Sequence, residues 1–147
     1  MTTFTSHDNR INTTIRRRDL LNTALWIIAG VMAAVFLFAG GNKVLIPREK
    51  LAKAPGGGWA LDFSARFIKV LGVLEILGAI GLILPAVLDI APVLVPLAAA
   101  GLGLVMIGAA IVVSRRHEFR HMLLNLAYLA LLAFEAIGRF GPRPFTG

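Results

Sequence analysis

Cysteine is missing from all 147 residues. Its absence excludes disulfides, thiolate metal sites, iron–sulfur clusters and any cysteine nucleophile. It leaves the redox compartment open, since a chain without thiols is compatible with either side of a membrane. Any redox group associated with this protein therefore belongs to a cofactor or to a partner. Acid is also scarce: 8 Asp and Glu stand against 15 Lys and Arg, a net charge of +7. Charge of either sign is missing from residues 20–42. The apolar runs carry no nucleophile–histidine–acid grouping and no cluster of metal ligands, which argues against an intramembrane enzyme.

What the chain has in quantity is apolar surface. Hydrophobic residues make up 57%, and mean hydropathy is +0.78, too high for a soluble domain of this length. Runs near or above membrane-spanning length predict an all-α integral membrane protein, a four-helix bundle forming one compact unit. The basic excess sits in the loops and tail beside those runs. Contact with anionic lipid headgroups accounts for it better than nucleic-acid binding, and no nucleic-acid partner is expected.

Residues 1–19 are polar and aperiodic and predict a mobile tail. Asp19 is a candidate N-cap. The sequence Arg17-Arg18-Asp19-Leu20-Leu21 resembles a twin-arginine export signal, but the apolar run after it is long and lacks a clear small-x-small cleavage site, so a retained first helix is expected. The first span covers 20–42, with Trp26 as an interfacial anchor, Gly30 and Ala34 as a packing face, and an end near Gly40, Gly41 and Asn42. The loop from 43 to 65 is basic. It contains a short amphipathic stretch after Pro47, the breaker Pro55-Gly56-Gly57-Gly58, and Trp59, Leu61 and Phe63 as an interfacial re-entry. Its glycines lack the lysine and hydroxyl of a phosphate-binding loop, so they read as a flexible connector. Further spans are expected at 66–84, ending at Pro85, then at 90–113 and 122–138, with a short tail at 141–147.

The second span is the most informative. Glu75 lies well inside it, and a bare carboxylate facing lipid is costly, so this group should point into the bundle, protonated or paired. Gly72, Gly78 and Ala79 fall near its face and permit close helix approach. Gly101 and Gly108 in the third span suggest the same use. Lys43, at the exit of the first span, is the candidate partner for Glu75 in a buried polar site. Glu75 serves equally well as a structural lock between helices. Glu135 precedes Arg139 by one turn, in the favoured order for an intrahelical pair at the membrane interface. Asn125 and Tyr128 supply polar contacts. His117 and His121 are spaced for one helix face, but with no third ligand they read as solvated loop histidines, and no metal site is expected.

Four spans place both termini on one side. The charges flanking the second and third spans favour cytoplasmic loops at 43–65 and 114–121, while Arg16, Arg17 and Arg18 pull the other way.

The fragments LFAGGNKVL at 37–45, GVLEILGAIGLILP at 72–85, PLAAAGLGLVMIGAAIVVSRRHE at 96–118 and the ending GRF at 138–140 together resemble the DoxX-like family of small bacterial membrane proteins. The resemblance implies a four-helix membrane protein associated with redox systems. Some relatives are subunits of a thiosulfate:quinone oxidoreductase, and others are linked to complexes with superoxide dismutase and a sulfurtransferase. Lys43, Glu75 and Arg139 match the family's recurrent polar positions.

The expected function is thus a non-catalytic membrane subunit or scaffold of a redox or oxidative-stress complex, close to a quinone. Redox-complex proteins, the lipid bilayer and further copies of the chain are its expected partners. Quinone binding would use the aromatic and small-sided surfaces that a bundle also needs simply to pack. The alternative is a small-solute or proton transporter in which buried Glu75 titrates.

Overall fold

A computed structural model describes residues 3–141, with side chains from Asp8 onward. Five helices are joined by short connections: α1 (Thr3–Leu45), α2 (Arg48–Lys53), α3 (Ala65–Val87), α4 (Leu94–Arg115) and α5 (Phe119–Phe140), with a 3-10 turn at Gly58–Asp62 between α2 and α3. No strand occurs among the described residues. Helices α1, α3, α4 and α5 are each long and apolar enough to cross a membrane. At 1.5 Å per residue α3 is about 34 Å long, against a hydrocarbon core of about 30 Å. The protein is a membrane-spanning four-helix bundle.

Several helix boundaries differ from the sequence reading. The polar segment before residue 20 continues α1 as helix, although residues 8–20 are all exposed. The segment at 142–147 lies outside the described residues. Helix α1 does not end at Gly40–Asn42 but runs on to Leu45, stopping where Pro47 biases the residue before it against helix. Helix α3 continues through Pro85 to Val87, since a proline close to a helix end disturbs only the last turns. The next span starts at Leu94 rather than at 90, because Asp89 and Ala91 take positive φ in the turn between them.

Two helix ends share one device. Past α4, His117 adopts φ 57°, Glu118 N donates to the Val113 carbonyl at 3.2 Å and His117 N to that of Ser114 at 3.1 Å. This is a Schellman closure with histidine where glycine is usual. Past α3, Asp89 at φ 53° lets Ile90 N reach the Pro85 carbonyl at 3.0 Å. Short polar side chains tolerate the left-handed region better than most. At the start of α3, Ser64 caps the helix by accepting from Phe67 N at 3.2 Å.

The core is a layer of Met32 and Phe36 from α1, Ala79 and Leu82 from α3, Leu102 and Met106 from α4 and Leu132 from α5. Outward positions are just as apolar: Phe38, Leu77, Leu104, Leu123 and Ile137 are exposed, as expected of a lipid-facing surface. In α1, Ala29 and Ala33 are buried while Gly30 and Ala34 point outward, so the packing face is offset by one residue from the expected one. Gly101 is likewise exposed and Gly108 opens on a cavity between the helices, and a methyl group on either would meet nothing within 4 Å. They therefore take no part in helix packing within this chain; Gly103 is the buried glycine of α4. Gly72, Gly78 and Ala79 do lie in the bundle. A methyl at Gly78 would stand 2.6 Å from a Leu102 methyl, and Ala79 is part of the central cluster.

Helix α1 packs chiefly on α3 and α4 on α5. These two pairs also meet through α3 and α4, and again where Gly138 of α5 abuts Leu25 of α1. That last contact lies at the end of the bundle away from the two basic loops. Toward those loops a cavity separates the helices.

Candidate ligand-binding site

Two ion pairs are held within the bundle. Lys43 Nζ donates to both Glu75 oxygens, at 3.0 and 2.7 Å, with the carboxylate side chain 2% exposed and the lysine 14%. The expected pairing of α1 with α3 is therefore present. Gly40 and Gly72 make it feasible by letting the two backbones approach: a methyl at Gly40 would lie 2.6 Å from the Gly72 carbonyl oxygen. The lysine stem then lies along α3 instead of being propped away from it.

The second pair joins Arg139 Nε to Glu135 Oε1 at 3.1 Å. Both side chains are 1% exposed, so the pair expected at the membrane interface is enclosed by protein. Arg139 Nη1 also donates to the Asn22 side-chain oxygen at 2.9 Å, and its guanidinium carbon lies 5.7 Å from the Trp26 ring centroid. Trp26, expected as a lipid-interface anchor, thus serves α5. Asn22 and Lys43 are about 30 Å apart along α1, so the two pairs fasten opposite ends of the bundle.

The Lys43–Glu75 pair borders a cavity. Its volume is about 450 Å³, within the range of small-molecule sites. Phe36 and Met106 close its inner end, and Trp59 and Phe63 of the loop flank its outer part. Phe63 stacks on Phe67 of α3 with ring centroids 4.9 Å apart, and Trp59 follows at 6.5 Å, so the three form an aromatic wall. The spacing 59, 63, 67 was a visible signal, but it crosses a loop–helix boundary, where helical periodicity gives no guide. Lys43 Nζ sits 5.7 Å from the Trp59 ring centroid, which ties the loop to the ion pair.

On the α5 side the lining includes His121, Asn125 and Tyr128. These occur at i, i+4 and i+7, one helical face. Neither Asn125 nor Tyr128 makes a side-chain hydrogen bond among the described residues, so their donors and acceptors are available to a guest. His121, read from sequence as solvated, keeps its side chain 45% exposed and also lines this cavity, with Nδ1 3.3 Å from Glu118 Oε2. No group of three or more metal-ligating side chains occurs among the described residues, and His117 does not join His121 in the lining. The cavity is therefore apolar in the main. One neutralised ion pair stands on its α1–α3 side, and neutral hydrogen-bonding groups stand on its α5 side.

No curated protein and no solved structure matches the chain. A family model does match it: the model described as DoxX-like covers residues 27–134. That region holds all four spans except the outer parts of α1 and α5, and it includes Lys43, Glu75 and the aromatic wall. The chain belongs to the DoxX-like family.

Proposed function

We propose that this multi-pass membrane protein is a non-catalytic subunit of a membrane redox complex and holds a lipophilic quinone in the cavity beside Lys43 and Glu75. The carrying observation is the lining of that cavity: a stacked aromatic row, a compensated ion pair, and free hydrogen-bonding groups on Asn125 and Tyr128. A quinone head is flat, uncharged and has carbonyl acceptors at opposite edges. It stacks on aromatic rings and accepts from hydroxyl, amide or ammonium donors. A charged head would lose its hydration in this lining without finding a counter-charge, because Lys43 and Glu75 already neutralise one another. With no cysteine in the chain, electrons would be supplied or removed by a partner. The role of this protein would be to position the carrier.

The test uses protein in lipid nanodiscs with Trp26 replaced by Phe, leaving Trp59 as the reporter. A short-chain quinone should quench its emission saturably. A purely linear, collisional dependence on quinone concentration would sink the reading. Purification in mild detergent, with identification of co-purifying redox proteins, tests the subunit assignment separately. The transporter alternative requires Glu75 to leave Lys43 during turnover. Glu75→Gln proteoliposomes with unchanged solute and proton flux would dispose of it.

A further inference from the structure

We propose that residues 47–63 form a lid that closes over the cavity, and that the ionic chain Asp62–Arg116–Glu118, with His121 beside it, is its latch. The lid carries part of the site it covers, since Trp59, Phe63 and Gly56 all line the cavity. Opening it would unstack Phe63 from Phe67 and expose the outer end of the site at headgroup level.

The attachment of this segment is unusually economical. Helix α2 has no buried residue, and the 3-10 turn buries Ala60 alone. Its own hydrogen bonds are internal: Gly57 N donates to the Ala54 carbonyl at 2.8 Å, Ala60 N to that of Gly57 at 3.0 Å, and Arg48 to that of Leu61 at 3.5 Å. Such a segment moves as a unit. Among the described residues, one hydrogen bond joins it to a helix beyond its own ends, from Arg116 Nη1 to Asp62 at 2.9 Å.

Arg116 is held in turn by Glu118 at 3.2 Å, and the other Glu118 oxygen lies 3.3 Å from His121 Nδ1 without a hydrogen bond. Two glycines fit the lid to this chain. Gly56, at φ 73°, lies against the His121 ring with no room for a side chain, and a methyl at Gly58 would stand 2.5 Å from the Arg116 guanidinium. The two hydrogen bonds Arg116 makes, first to Asp62 and then to Glu118, raise its pKa and favour its charged form. All members of the chain remain partly exposed, between 25% and 47%. Exposed pairs of this kind are weak and salt-screened. That suits a latch, which has to release as well as hold. His121 also lines a second, outer pocket with Pro55, Gly56 and Arg120, so the latch stands between cavity and surface.

The inference rests on the proposed quinone reading only for the identity of the guest. A chain without cysteine permits a test that needs no ligand. Ala60→Cys places a single thiol on the inner face of the lid, at a position now 0% exposed, and a water-soluble maleimide reads its exposure in nanodiscs. Asp62→Arg and Arg116→Asp should each raise the labelling rate roughly five-fold, and the double exchange should return it to within about two-fold of the parent, the pattern of a direct pair. Labelling at the parent rate in both single variants, or a double variant as fast as the singles, overturns the lid. A short-chain quinone should slow labelling in the parent. Latch-dependent labelling that quinone leaves unchanged would uphold the lid and retire the quinone reading.

Discussion

Gly40 and Gly72 meet across the α1–α3 seam so closely that each would place an added methyl within 2.8 Å of the other's carbonyl oxygen. Three residues beyond each stand Lys43 and Glu75, bridged by two hydrogen bonds. The close approach and the ion pair are one construction, because a wider seam would leave the lysine short of the carboxylate.

Replacing Gly72 with Ala should therefore lower stability by about 1–3 kcal/mol, the usual result of overpacking against backbone that cannot yield. Gly101→Ala, where the new methyl meets nothing, should be neutral or more stable by up to about 1 kcal/mol, from helix propensity alone. Thermal unfolding in detergent compares the two. Equal losses would mean that the seam is not the tight point of the bundle.

Glu75→Gln should destabilise by about 3–5 kcal/mol, since it strands an ammonium in the interior. The double change Lys43→Met with Glu75→Leu should recover most of that loss, because two apolar residues remove both buried charges together. Recovery measured by unfolding in graded detergent checks the point. A double variant as weak as Glu75→Gln would show that the pair stabilises through something other than mutual compensation.

The other pair distinguishes two readings of the same spacing. On an exposed helix face, a Glu135–Arg139 pair would be worth about 0.3–0.5 kcal/mol. Enclosed, with Asn22 also bound to the guanidinium, loss of Glu135 through Glu135→Ala should cost about 3–5 kcal/mol. A small change in the unfolding midpoint would place the pair back at an open surface.

Ala109 lines the cavity without joining either ion pair. Ala109→Phe should fill the space, abolish saturable quenching of Trp59 by a short-chain quinone, and leave stability unchanged or raised by up to about 2 kcal/mol. Persistent quenching at the parent affinity would show that the guest binds elsewhere.

The location of Glu75 inside the bundle was legible from the cost of a bare carboxylate in lipid, and Lys43, at the exit of the neighbouring span and at a position the family resemblance marks as polar, was its candidate partner. The facing of α4 was not legible. Gly101, Gly103 and Gly108 are equally small, but Gly103 packs inside the bundle, Gly108 opens on the cavity and Gly101 faces out, because in hydrocarbon the outer face is as apolar as the inner and no polarity contrast marks which side is buried. The same lack of contrast placed Gly30 rather than Ala29 on the packing face of α1. The place of His121 at the cavity was hidden for a different reason: nothing in a charged connector shows that a distant loop will be laid across part of its histidine.

Sequence alone determined that this chain is a four-helix membrane protein of the DoxX-like family with a buried acid, because lengths of uncharged, apolar chain and the cost of ionised groups in lipid are local quantities. Only the tertiary structure decided that Glu75 borders a cavity, that Trp59, Phe63 and Phe67 form one wall of it, and that Asp62 reaches Arg116 across 54 residues. Those facts depend on how two helix pairs splay and on where a loop comes to rest. Contacts far apart in the chain leave no periodic trace in the order of its residues.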